Sequence, residues 1–194
     1  MDKQDDFQSL FAYFKLVHPA KLPSLQAIEE ISSVISVKKN QDLQPIGATC
    51  KTIYFVKNGL ARIYYYKDGN EVTEYFAFEN DMIIRAESLF TGKPSQKAIQ
   101  AVEDTEFIGI SSDLLFSLFD QFPDLERLFR KITEAAYVNT LNRIEAIQFH
   151  TAEERYQKLL EDKPQFIHRI PLKHIASYLG ITQVSLSRIR GQKS

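Results

Sequence analysis

The chain has 194 residues, 44% of them apolar and 25% charged, with a net charge of -1. That balance suits a globular chain with ample material for a core and excludes a disordered or fibrous one. It has no apolar run of 18 residues, so no membrane helix is expected, and its single cysteine, Cys50, excludes an internal disulfide. One cysteine and four histidines (His18, His150, His168, His174) without ligand spacing argue against structural zinc and iron–sulfur clusters, so no metal or other cofactor is expected.

The N-terminal MDKQDDFQSL is acidic and polar where a secretion signal needs a basic start and an apolar run, so a cytoplasmic protein is expected. Charge is distributed unevenly. Lys163, Arg169, Lys173, Arg188, Arg190 and Lys193 are the six charged residues from position 163 onward and all are basic, which leaves the first 162 residues at -7. A cationic end on an acidic body is how many nucleic-acid readers are built, because neutralising phosphate supplies much of their affinity. A solvated charged tail would look the same on charge alone.

In chain order, Phe7, Leu10, Phe11, Phe14 and Val17 recur at helical spacing, and Pro19 and Pro23 interrupt the pattern before a second short helix at LQAIEEI. The period then shortens. IYFVKNGLARIYYYKDGNEVTEYFAF, from Ile53 to Phe78, is rich in aromatic and β-branched residues and is punctuated by Asn58-Gly59 and Asp68-Gly69, dipeptides that suit hairpin turns. Further short strands are predicted at Ser33–Val37, Ala98–Val102 and Glu106–Ile110. The first half therefore reads as a β-roll.

After Ser111 the helical period returns, with a short helix over Ser112–Phe119 and a long one from Pro123 to about Gln148, about 39 Å in length. Its apolar residues (Leu125, Leu128, Phe129, Ile132, Ala135, Tyr137, Val138, Leu141, Ile144) form a stripe wider than one surface needs, which suggests a second helix from another subunit. Packing on its own β-roll is the other possibility. Thr151 and Glu154 have the spacing of a capping box, so a new helix starts there and Phe149–His150 is a candidate hinge.

The closing stretch HIASYLGITQVSLSRIRG meets the demands of a helix-turn-helix. Two short helices that cross steeply need a small residue at closest approach, here Ala176, and a turn residue that accepts positive φ, here Gly180. Ile175, Leu179, Ile181, Leu186 and Ile189 are the predicted buried positions, and Thr182 caps the second helix. In a major groove, Gln183, Val184, Ser187 and Arg188 would meet base edges. Thr182, Lys173, Arg190 and Lys193 are better placed for phosphates, and Arg188 could serve either purpose.

With both halves in view the chain resembles the Crp/Fnr family of bacterial transcription regulators over roughly residues 25–194. IYFVKNGLARIYYYKDGNEVTEYFAFEND is similar to the family's barrel signature, and IPLKHIASYLGITQVSLSRIR to its DNA-binding motif. The resemblance implies an α+β chain with three parts. These are a β-roll sensor (a double-stranded β-helix of the cyclic-nucleotide-binding type) with N-terminal helices over 1–120, a dimerisation helix and hinge over 121–150, and a helix-turn-helix over 151–194. It further implies a homodimer through residues 123–148 on palindromic double-stranded DNA, with RNA polymerase and an unidentified small-molecule effector as candidate partners. The family's β-hairpin wing is not expected, since the sequence stops at Ser194.

The effector does not carry over. Aligned to the family's phosphate-binding cassette, NDMIIRAESLFTGKPSQKAIQA puts Ile84 at the glycine, Arg85 at the ribose-binding glutamate and Ser95 at the phosphate-binding arginine. Lys97 is the nearest substitute cation, although its side chain is expected on the opposite face, and Thr140 falls where the dimer helix would meet a base. Binding of cAMP or cGMP is therefore not expected, and Ile84, Arg85, Ser95, Lys97 and Thr140 stand as the candidate ligand pocket. A small-molecule-binding module whose C-terminal helices contact protein is the alternative. An enzyme is disfavoured by the lack of a nucleophile–base motif, a P-loop or a dinucleotide glycine pattern.

Overall fold

The structure is a computed structural model that describes residues 6–164 and 168–191. Helices α1 (Gln8–Val17) and α2 (Leu22–Glu30) lead into strands β1 (Ser32–Val37), β2 (Asp42–Gln44), β3 (Thr52–Asn58), β4 (Ala61–Lys67), β5 (Asn70–Ala77) and β6 (Met82–Ile83). A short helix α3 (Ala86–Thr91) precedes β7 (Ala98–Ala101) and β8 (Thr105–Ser111), followed by α4 (Ser112–Leu118) and the long α5 (Pro123–Phe149). Helices α6 (Ala152–Asp162), α7 (Leu172–Leu179) and α8 (Gln183–Gly191) complete the described chain.

The strands form two four-stranded antiparallel sheets, β1-β8-β3-β6 and β2-β7-β4-β5, which close as a β-roll. Side-chain alternation divides the core into layers. Between the sheets lie Val37, Tyr54, Val56, Ala61, Ile63, Ala77, Ile83, Ile99, Ala101 and Phe107. The opposite sides of β3 and β8 present Ile53, Phe55, Ile108 and Ile110 to Leu10 and Phe14 of α1, Ile28 of α2, and Leu125, Leu128 and Phe129 of α5. Asp124 pins this layer by accepting from the Lys21 amide at 2.8 Å and the Ser24 hydroxyl at 2.8 Å.

The expected strands and helices are present, with ends shifted by one to three residues, the largest shift being the start of α2 at Leu22 in place of Leu25. Strands β2 and β6 and helix α3 had no signal of their own. One turn was misassigned. Asp68-Gly69 does form the two-residue β4–β5 hairpin, with both residues at positive φ and Lys67 paired to Asn70. Asn58-Gly59 instead carries the chain from one sheet to the other, because β3 pairs with β8 and β6 while β4 pairs with β5 and β7. Gly59 is required there twice over: its φ is +101, and a Cβ would stand 2.7 Å from the Thr105 hydroxyl oxygen and 2.8 Å from the Asp104 carbonyl.

Helix α5 divides along its length. Its first turns are buried through Leu125, Leu128 and Phe129, with Ile132 half-buried, so this part lies on its own β-roll. Its second half leaves Ala135, Tyr137, Val138, Leu141, Ile144 and Ile147 exposed. The helix ends at Phe149, His150 is extended, and Thr151 opens α6 with the full capping box, its hydroxyl accepting from the Glu154 amide while the Glu154 carboxylate accepts from the Thr151 amide.

Candidate nucleic-acid interface

The two closing helices form as their sequence requires. Helix α7 ends in a Schellman-type turn: Gly180, at φ +72, donates its amide to Ser177 at 3.1 Å, and Ile181 donates to Ala176 at 3.0 Å. Thr182 caps α8 by accepting from the Ser185 amide at 3.1 Å. Ile175, Ala176, Leu179 and Leu186 are buried, whereas Ile181 and Ile189, expected to be buried, are only half so. Thr182, Gln183, Val184, Ser187, Arg188 and Arg190 are all exposed on or beside α8, and Lys173 is exposed near the start of α7. Lys193 lies outside the described residues.

Sequence reasoning did not foresee what lies behind this surface. Helix α7 packs against β5, and Leu60, Phe76, Phe78 and Val102 of the β-roll share one apolar cluster with Tyr156, Ile170, Ile175, Ala176, Leu179 and Leu186. The Tyr178 ring packs at a tilt against Phe76, centroids 5.2 Å apart, and Arg143 of α5 lies 3.9 Å over the Tyr178 ring while donating to the Tyr178 carbonyl at 3.1 Å. Arg155 of α6 donates to the Leu179 carbonyl at 2.7 Å, so two arginines complete the C-terminal end of α7. Arg169 bridges Glu79 at 2.6 Å and also pairs with Glu103.

At the centre of the contact is Arg62 of β4, only 1% exposed. It donates to Gln100 at 2.7 Å, Thr73 at 3.2 Å, Glu71 at 2.5 Å and Nδ1 of His174 at 2.8 Å. An arginine has no lone pair to offer, so the His174 Nδ1 must accept, which fixes the neutral ring with its proton on Nε2. Burial, then the positive charges of Arg62 and Lys173, lowers the His174 pKa to about 4. For Glu71, burial works upward, but the hydrogen bond and charge of Arg62, with Lys173 and His174 behind them, hold its carboxyl below the usual value. No local signal marked Arg62, because its partner is 112 positions away.

The candidate ligand residues come together only in part. Arg85, 5% exposed, lies 3.6 Å from Glu74 and donates to the Ser95 hydroxyl at 3.4 Å. Contrary to expectation, Lys97 joins them through its own ion pair with Glu74. Ile84 packs instead into the cluster beneath helices α1, α2 and α5, since its neighbour Ile83 already faces the interior. Thr140 stands apart on the exposed half of α5, its hydroxyl bonded to the Ala136 carbonyl. The buried Arg85 and the half-buried Lys97 thus share a carboxylate supplied by the chain itself.

Residues 34–122 match the family described as the cyclic nucleotide-binding domain. Solved structures extend the likeness across the C-terminal helices. FixK2 from Bradyrhizobium japonicum superimposes with a TM-score of 0.72 at 19% identity, over 84% of this chain and 84% of that one. The c-di-GMP responsive regulator CLP from Xanthomonas campestris gives 0.71 at 15% identity, over 89% and 91%. A transcriptional regulator of the Crp/Fnr family from Eubacterium rectale gives 0.70 at 20% identity, over 92% and 85%. A search of curated proteins found no match in sequence. The β-roll is therefore of the cyclic-nucleotide-binding type, and the chain as a whole has the fold of Crp/Fnr regulators. No helix among the described residues is long and apolar enough to cross a membrane.

Proposed function

We propose that this protein is a homodimeric, sequence-specific regulator of transcription that binds double-stranded DNA through α8. The observation that carries the reading is the exposed face of α8: Gln183, Val184, Ser187, Arg188 and Arg190 are all solvent-facing, while Leu186 anchors the helix from behind at 0% exposure. From Lys163 to Ser194 there is no acidic side chain to repel phosphate. Gln183 and Arg188 suit adenine and guanine edges, Val184 a thymine methyl, and Thr182, Lys173 and Arg190 the flanking phosphates. The exposed stripe from Tyr137 to Ile147 on α5 is the surface on which a second copy would pack.

The proposal divides the chain into a sensor part over 1–120, a dimer helix with hinge over 121–150 and a DNA-binding part over 151–194, in a cytoplasmic protein. In this reading cAMP and cGMP are not the effectors, because Ile84 stands where the family's cassette has its glycine and Ser95 where it has its phosphate-binding arginine. Selection of duplexes from a random pool by the purified chain tests the proposal. It should enrich a two-fold symmetric site with half-sites about one helical turn apart, roughly 34 Å. A pool left unenriched by a chain that captures a protein partner through α8 would support the alternative of a sensor module with protein-binding helices.

A further inference from the structure

Two neighbouring residues of β5 hold two separate polar clusters. The β4–β5 ladder shifts register between Ile63, opposite Tyr75, and Tyr64, opposite Thr73, so that Glu74 is the extra residue of a bulge. Bulges re-aim side chains, and here the two directions differ in purpose. Glu74, half-buried, turns toward the buried Arg85 and carries the ion pairs of Arg85 and Lys97. Thr73 faces α7, its amide donating to the Ser177 hydroxyl at 3.1 Å and its own hydroxyl accepting from Arg62, which also holds His174.

We propose that this bulge is a direct coupling device between the sensor interior and the docked helix α7, separate from the hinge at His150. Arg85 is almost wholly buried, so its charge depends on a counter-ion. While Glu74 supplies it, the bulge is held open and Thr73 is presented to Ser177. An anion competing for Arg85 and Lys97 would release Glu74, and a relaxed bulge would re-aim Thr73 by one position along β5. The contacts of Thr73, Arg62 and His174 with α7 would then loosen together, and α8 would lose its fixed direction relative to the β-roll. The consequence for DNA rests on the reading above, but the coupling itself does not.

Amide hydrogen exchange on the full chain tests it without DNA. Glu74→Gln mimics release of the carboxylate with little change in shape. Exchange across α7 should rise at least tenfold, although the ion pairs of Glu74 run to Arg85 and Lys97 and not to that helix, while the β3–β8 ladder stays protected. Coupling is reciprocal, so Ser177→Ala should in turn speed exchange at Gly47 and Ser95, whose amides bond Ser95 and Ala48 beside the ion cluster. Lys97→Met, which removes one of the two cations and leaves Glu74 in place, should produce a smaller rise in α7. A Glu74→Gln response confined to Gly47 and Ser95, a uniform rise over every strand, or no change in α7 would each overturn the proposal.

Discussion

Arg188 and His174 bear the most specific claims at the level of single residues. Arg188→Ala is expected to weaken binding to the selected duplex by about 1–3 kcal/mol and to a scrambled duplex far less. Equal losses on the two duplexes, measured by fluorescence anisotropy, would reassign its guanidinium to phosphate. His174 is held neutral in the docked state by burial and by Arg62, with its pKa lowered from 6.5 to about 4. An undocked or unfolded ring takes up its proton first as pH falls. The docking contribution is therefore complete above pH 6.5 and is lost progressively from there toward pH 4. Glu71, whose carboxyl is held low in the docked state, adds a loss of the same sign below its ordinary value of 4.5. The melting temperature of the wild type should fall more steeply between pH 6.5 and 4 than that of His174→Gln, whose amide oxygen can still accept from Arg62. Parallel curves would remove His174 from the account.

Among the elements, two glycines separate conformational strain from collision. Gly180, at φ +72, has open space where a Cβ would stand, so Gly180→Ala should cost only the left-handed backbone penalty, about 1–2 kcal/mol. Gly59→Ala adds a clash with the Thr105 hydroxyl and Asp104 backbone and should cost clearly more in denaturant titration. The comparison also shows where the sequence was legible. Asp68-Gly69 and Asn58-Gly59 carry the same kind of turn dipeptide, but both residues of the first take positive φ and close a hairpin, whereas only Gly59 of the second does and the chain crosses between sheets. Which strand receives the chain is decided by non-local pairing that a dipeptide cannot encode. Strands β3 to β5 could be read because Ile53 to Phe78 is rich in aromatic and β-branched residues and broken by two turn dipeptides. Met82–Ile83 is too short to show a period. Helix α5 was legible in length, and the exposure of Leu141 and Ile144 is what a subunit partner would cover. Leu141→Asp with Ile144→Asp is expected to convert a dimer to monomers in sedimentation equilibrium, with helical content unchanged.

Over the whole molecule, the order of β-roll, long helix and closing helical pair was evident from the change of hydrophobic period along the chain. Their docking was not. Arg62, Phe76, Glu79 and Glu103 are spread over the β-roll, and no spacing ties them to His174, Tyr178 or Arg169. The docked arrangement leaves Gln183 and Arg188 exposed, so the account requires that the chain bind duplex DNA as it stands, two copies at a time. The most direct test is the salt dependence of binding to the selected duplex between 50 and 200 mM. With Lys173 and Arg190 of each copy on phosphates, log K should fall against log salt with a slope of about -3.6 or steeper. Arg190→Ala should reduce that slope by about two, one for each copy. A slope near zero, unaffected by Arg190→Ala, would contradict the claim that this face reads DNA.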